Sequence, residues 1–151
     1  MPERDAFEAA LAALNRKDRT AHELALWLKR RDFDLEEIEA ALRRLLETEA
    51  LDDERFARCL AEDKRELLGW GAERIREALL ARGVEGSTVD AVLAADSYAD
   101  QLDRARDILT RRGRPLEGNA DRQRALDYLA RRGYDYEIAY EAVRSLSARA
   151  A

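Results

Sequence analysis

The sequence is short of the residues that build chemical sites and covalent staples. Its 151 residues include one cysteine, one histidine, two prolines and seven glycines. The single cysteine, Cys59, excludes an internal disulfide. The single histidine, His22, excludes a histidine-rich metal site. No apolar run approaches the roughly 20 residues of a membrane-spanning helix. No apolar stretch follows the charged start at Glu3, Arg4 and Asp5, so no secretory leader is expected. These absences lead to the expectation of a cytoplasmic protein that makes no membrane contact.

Signatures of catalysis are missing too. Gly69-Trp70-Gly71 lacks the third glycine of a dinucleotide fingerprint, and no Walker lysine follows a glycine run. It reads instead as a helix–helix turn whose Trp packs on a neighbour. His22-Glu23-Leu24-Ala25-Leu26 begins like a zinc-protease helix, but Leu26 stands where a second histidine is required. The carboxylate pairs Asp52/Asp53 and Glu36/Glu37 fall at predicted helix starts, where the positive end of the helix dipole accounts for them. No catalytic, metal-ligating or cofactor-binding residue is therefore assigned, and an enzyme is not expected.

What the sequence does have is helix-forming material. Hydrophobic residues make up 46% and charged residues 39%, dominated by Leu, Ala, Arg and Glu, which lose little side-chain freedom in a helix. Helices are predicted over 3–16, with Phe7, Leu11 and Leu14 inside, and after the capping boxes Thr20/Glu23 and Asp34/Glu37. Leu24 and Leu28, then Ile38, Leu42 and Leu45, line the inner faces of those two. Asp52 caps the next helix, whose inner face reads as Phe56, Cys59 or Leu60, and Leu67. A buried, inert Cys59 is expected. Further helices are predicted over 72–82, from Ser87, over 97–112, over 121–132 and over 136–148.

A repeat organises these elements. Leu28-Lys-Arg-Arg-Asp-Phe33, Leu79-Leu-Ala-Arg-Gly-Val84 and Leu129-Ala-Arg-Arg-Gly-Tyr134 share one pattern, a Leu followed five positions later by an apolar residue across a helix-ending turn. The Leu positions are 79 − 28 = 51 and 129 − 79 = 50 residues apart. This spacing implies an all-α protein of three tandem three-helix repeats, over 1–51, 52–96 and 97–151. Repeats of this kind stack in one dimension. The expected shape is elongated and curved, with a concave face suited to a large repetitive partner.

Charge is unevenly spread. Net charge is −5 overall, with 13 Lys and Arg against 18 Asp and Glu in residues 1–68, and 11 Arg against 8 acids in residues 101–151. The arginine clusters Arg111/Arg112/Arg114, Arg122/Arg124 and Arg131/Arg132 read either as solvated helix faces and helix C-termini or as a phosphate-contacting surface. Tyr128, Tyr134, Tyr136 and Tyr140 read as core in preference to base-stacking platforms.

Three motifs in order carry a family resemblance. They are Ala21-His22-Glu23-Leu24 with Leu28, then Leu51-Asp52-Asp53-Glu54-Arg55-Phe56-Ala57 running through Gly69-Trp70-Gly71 and Arg74-Ile75 to Gly83-Val84, then Leu129 to Tyr134. Over residues 7–145 the sequence resembles the RecX family of RecA regulators. The resemblance implies a non-enzymatic modulator that lodges in the RecA–DNA filament. It would limit filament growth and lower ATPase, strand-exchange and co-protease activity. It also implies filament contacts from the polar faces, with Arg55, Arg58, Lys64, Arg65, Arg74, Arg76 and Arg82 as candidates in the second repeat. Arg111, Arg112, Arg124, Arg131 and Arg132 are the candidates in the third. The acidic balance and the lack of a basic tail argue against strong DNA binding outside the filament, and a monomer is the simplest expectation. The alternatives are a generic helical adaptor or a helix-turn-helix DNA-binding regulator. Acidic residues at the starts of the would-be recognition helices, as in Leu35-Glu36-Glu37, disfavour the latter.

Overall fold

A computed structural model describes residues 5–150, so Glu3 and Arg4, at the expected start of the first helix, lie outside the described residues. Among the described residues there are nine helices and no strand. They are α1 (Ala6–Arg16), α2 (Ala21–Arg30), α3 (Leu35–Glu47), α4 (Asp53–Leu68), α5 (Ala72–Ala81), α6 (Gly86–Ala94), α7 (Tyr98–Arg112), α8 (Asn119–Arg131) and α9 (Tyr136–Ala150).

Side-chain caps set most of the starts. Both expected capping boxes form, Thr20 with Glu23 and Asp34 with Glu37. Asp52 accepts the Arg55 N–H at 3.0 Å, Ser97 the Asp100 N–H at 3.1 Å, and Asp135 the Ile138 N–H at 2.9 Å. Several starts differ from expectation. α1 opens at Ala6, later than the expected residue 3, after an extended Asp5 that accepts the Glu8 N–H at 2.7 Å. α6 opens at Gly86, ahead of Ser87, with the Glu85 carbonyl taking the Val89 N–H. α8 opens at Asn119, and Asp121 turns back to accept the Glu117 N–H at 3.1 Å.

The three turns predicted from the repeat are alike in detail. Phe33, Val84 and Tyr134 each donate a backbone N–H to the carbonyl of Leu28, Leu79 and Leu129, at 3.4, 3.2 and 3.1 Å. The residue before each is left-handed: Asp32 at φ +66°, Gly83 at +83° and Gly133 at +97°. This is the Schellman way of ending a helix. It turns the chain so that the three leucines stay fully buried.

The helices gather into two compact units. One holds the described residues up to Cys59 with Leu79–Val89, the other Leu60–Ala78 with Asp90 onwards. The division falls inside α4, α5 and α6. In the first unit, Leu24, Leu28, Ile38 and Leu45 pack on Ala6, Ala9, Ala10 and Ala13. The alanines of α1 therefore form its inner face, and Phe7, Leu11 and Leu14 only flank it. A small side chain lets a neighbouring helix come close, so it can outrank larger apolar residues for the innermost position. The same correction applies to α4. Ala57 and Ala61 are buried, Cys59 is exposed, and Leu67 is 79% exposed. In the second unit, Leu102, Ala105 and Leu109 meet Leu129, Tyr134, Ile138, Ala142 and Val143 as the spacing predicts.

Within each unit, the start of one repeat's middle helix is fastened to the turn of the following repeat. In the first unit, the buried Thr20 hydroxyl donates to the Arg82 carbonyl at 2.6 Å. The Ala21 N–H meets Asp53 at 2.9 Å, and Glu23 holds the Arg82 guanidinium by two bonds of 3.0 and 2.9 Å. Arg82 also lies 4.5 Å from the Phe56 ring. In the second unit, Gly71 N–H donates to the Arg132 carbonyl at 2.7 Å and Glu73 N–H to the Gly133 carbonyl at 2.9 Å. The approach is close: a Cβ on Gly71 would fall 2.5 Å from the Gly133 carbonyl carbon.

Burial works to raise the Glu23 pKa, but the Arg82 and Thr20 hydrogen bonds and the charges of Arg82 and Lys17 prevail and hold it below the usual value. A carboxylate depressed in the folded state contributes stability that is complete above its unfolded pKa and is lost as pH falls through the folded value. Glu23→Gln is therefore expected to destabilise most at about pH 7 and progressively less towards about pH 3, as read by urea unfolding. Thr20→Val, which removes a cap and a buried hydrogen bond together, is expected to cost about 2 kcal/mol in the same assay, with Thr20→Ser nearly neutral. Gly71→Ala is expected to destabilise more than Gly86→Ala, because a Cβ at Gly86 meets open space.

Candidate functional site

The second unit carries an open groove of about 630 Å³. Three helix faces build it. α4 contributes Glu62, Arg65 and Glu66, with Leu67 and Leu68 at the rim. α7 contributes Arg104, Asp107, Ile108, Arg111 and Arg112, whose spacing of three and four residues puts them on one side of the helix. The end of α8 adds Tyr128 and, just beyond it, Arg132.

A single carboxylate anchors the floor. Asp96, with a side chain only 5% exposed, accepts two bonds of 3.0 Å from Arg104 and lies 3.3 Å from Arg65 Nε. Arg65 is near enough for ion pairing but poorly aligned, and its buried Nε and Nη2 make no hydrogen bond. The hydrogen bonds that Arg104 donates to Asp96 raise the Arg104 pKa further above its ordinary value, against the effect of burial. Burial likewise raises the phenol of Tyr134, with the nearby Arg104 working the other way.

At the wall, Tyr128 lies between two cations in interaction range. Arg112 stands 4.8 Å and Arg132 4.7 Å from its ring centre. Arg132 is held by the Leu68 carbonyl and the Tyr128 hydroxyl, each at 2.7 Å. The groove thus presents five guanidiniums against the carboxylates of Glu62, Glu66 and Asp107, beside exposed leucines. Such a surface is able to hold anionic and apolar groups together. It has no nucleophile–base pair, and the described residues contain no cluster of three or more metal-binding side chains.

The arginines singled out from sequence do not form one site. Arg65, Arg111, Arg112 and Arg132 line the groove. Arg82 belongs to the first unit's joint, paired with Glu23. Arg76 is paired with Asp90 at 2.5 Å, Arg58 with Glu54 at 3.5 Å and Arg124 with Asp121 at 3.0 Å. Arg55 reaches the Glu49 carbonyl at 3.4 Å. Lys64 and Arg74 lie 5.0 and 4.4 Å from the Trp70 ring, and Arg74 donates to the Arg131 carbonyl at 3.3 Å. Arg131 itself points to solvent.

Sequence reading missed Arg104, Asp107 and Asp96. The helical spacing of Arg104 and Asp107 from Arg111 was the available signal for the first two. His22, the lone histidine, packs where a Cβ on Gly83 would fall 2.4 Å away, so its position serves the joint. Of the tyrosines expected in the core, Tyr134 is buried and Tyr128 half-buried. Tyr136 and Tyr140 are exposed, because they lie on the outer side of α9.

This arrangement defines an all-helical tandem-repeat protein with a polar groove, and comparison with known proteins gives the class its name. Family models match in chain order: the first three-helix domain of RecX at residues 6–45, the second at 52–93 and the third at 99–143. A regulatory protein RecX of Trichlorobacter lovleyi is 33% identical over 89% of this chain and 90% of its own length. Those of Halalkalibacterium halodurans and Deinococcus radiodurans are 31% and 35% identical. The match spans about half the length of the former, at 52%, and 66% of the latter. The chain belongs to the RecX family of regulatory proteins. Its fold is that of the crystal structure of RecX from Lactobacillus salivarius, with a TM-score of 0.85 at 17% identity, covering 93% of this chain and 94% of that one. No helix among the described residues is long and apolar enough to cross a membrane.

Removing one partner from a buried charge cluster leaves the others uncompensated, at a typical cost of about 3–5 kcal/mol. Asp96→Ala is expected to fall in that range by urea unfolding, well above Asp121→Ala, whose partner Arg124 is exposed.

Proposed function

We propose that this chain is a non-enzymatic modulator, acting as an inhibitor, of the RecA recombinase. It binds the RecA–DNA filament in its groove or at its end and limits filament growth. ATPase, strand exchange and co-protease activity fall as a result. Membership of the RecX family supports the reading. The observation that carries it is the arginine-lined cleft of the second unit, which offers Arg111 and Arg112 to an anionic, partly apolar partner surface.

The mechanism is differential binding. A ligand shifts a filament only in proportion to its preference for one filament state over another. Bound at an end, the protein blocks the next subunit; bound along the groove, it biases the state of the subunits it touches. DNA outside the filament is a poor partner, since a net charge of −5 opposes a phosphate backbone. The working form is a monomer in the cytoplasm.

The test is RecA-dependent ATP hydrolysis on single-stranded DNA, with this protein well below the RecA concentration. Hydrolysis is expected to slow. The double variant Arg111→Glu/Arg112→Glu is expected to need about tenfold more protein for the same effect. Arg58→Glu, which is not among the residues lining the groove, is expected to leave the inhibition unchanged. An inert wild-type protein would overturn the RecA reading, and an unimpaired double variant would remove the groove from it.

A further inference from the structure

The third repeat bears a second feature that the regulatory reading does not use. Tyr136 is 73% exposed and Tyr140 50%, one turn apart on α9, and their rings stack at 5.9 Å between centres. Tyr98, at the start of α7, is 46% exposed. Solvent-facing aromatic groups are costly to leave bare, and tyrosine is enriched where proteins meet.

Carboxylates gather near Tyr98, while Arg122 and Arg144 line a cleft beside Tyr140. The Tyr98 phenol is raised above its usual value, by local desolvation first and then by the carboxylates of Glu137, Glu141 and Asp135, while Arg106 acts in the opposite sense. α7 and α9 pack on one another and are joined by Arg106 and Ser145 at 2.9 Å; Tyr98 and Glu137 each stand eight residues ahead of that pair, which puts the two helix starts at one end. Two of the nearby cations are already committed. Arg144 is bound to Glu141 at 2.6 Å, and Arg106 to Asp103 at 3.3 Å and to Ser145 at 2.9 Å. Asp135 caps α9 through Ile138, and Glu137 has no ion-pair partner within 4.0 Å among the described residues. The face therefore combines electron-rich rings with carboxylates that retain charge for an incoming cation.

We propose that Tyr98, Tyr136 and Tyr140, with Asp135 and Glu137, form a docking surface for an arginine-bearing segment of a protein partner. A guanidinium is the group that suits both halves. Its flat face lies over a tyrosine ring and its edge donates to a carboxylate. A phosphate-bearing partner would meet repulsion from Asp135 and Glu137, so this surface selects a partner opposite in sign to the one the arginine groove selects. The proposal stands independently of RecA.

The test uses the full chain and a heptapeptide of alternating glycine and arginine as the probe, at low salt. Ring resonances of Tyr136 and Tyr140 are expected to shift on titration by NMR, and the shifts to shrink as salt is added. A matched glycine–glutamate peptide is expected to leave them unmoved. Tyr136→Ala is expected to weaken binding about threefold to fivefold, and Glu137→Gln by a similar factor. Both positions are exposed, so both variants should keep the wild-type helical spectrum and unfolding midpoint.

Three results would overturn the proposal. One is an absence of tyrosine shifts, and another is equal binding of the glutamate peptide. The third is concentration-dependent self-association in sedimentation that Tyr136→Ala abolishes, which would assign the face to a second copy of this chain.

Discussion

A backbone carbonyl at the end of a helix is the hinge on which this structure depends. Arg82 and Arg132 occupy the same place in successive repeats, and each presents its carbonyl beside a left-handed glycine. In the first unit Thr20 donates to it with a hydroxyl, in the second Gly71 with its N–H. Both donors stand at the N-terminal boundary of a middle helix, where backbone N–H groups lack intrahelical partners. Two unsatisfied ends, one rich in acceptors and one in donors, thereby meet. The glycines allow that closeness, because a Cβ on Gly83 or Gly133 would fall within 2.5 Å of the opposing residue.

The guanidiniums attached to those two carbonyls serve the same joints. Arg82 is held by Glu23, and Arg132 by the Leu68 carbonyl and the Tyr128 hydroxyl. An arginine at these positions fixes an interface first and offers charge second. Asp96 plays a comparable part for Arg65 and Arg104, drawing two cations to the groove floor where they would otherwise repel one another. The outward positive character of the groove therefore falls to Arg111 and Arg112, whose positions on α7 leave them at its mouth.

Much of the fold was legible because its determinants are local. Capping residues at Thr20, Asp34 and Asp52 marked the helix starts, and the Leu-to-apolar interval of five residues marked the turns. Where the sequence offered two apolar stripes, as along α4, hydrophobicity favoured Phe56, Cys59 or Leu60, and Leu67, while packing chose Ala57 and Ala61. That choice depends on how close the neighbouring helix lies, a quantity with no local signature. The same limit applied to the site. An arginine tied into a joint and one facing solvent look alike in a list of charged residues. Asp96, which sorts the groove's arginines into floor and mouth, sits between helices with no motif to announce it.

The front turn, Arg31-Asp32-Phe33, repeats the geometry of the other two with one substitution of kind. Asp32 adopts φ +66° where glycine stands in both later turns. A left-handed non-glycine residue is strained by roughly 1–2 kcal/mol, and here the turn carries a Cβ and an exposed carboxylate where the two later turns carry neither. A helix start seated on this turn as the starts of α2 and α5 sit on the later ones would meet a carboxylate-bearing Cβ instead of the bare backbone of Gly83 and Gly133.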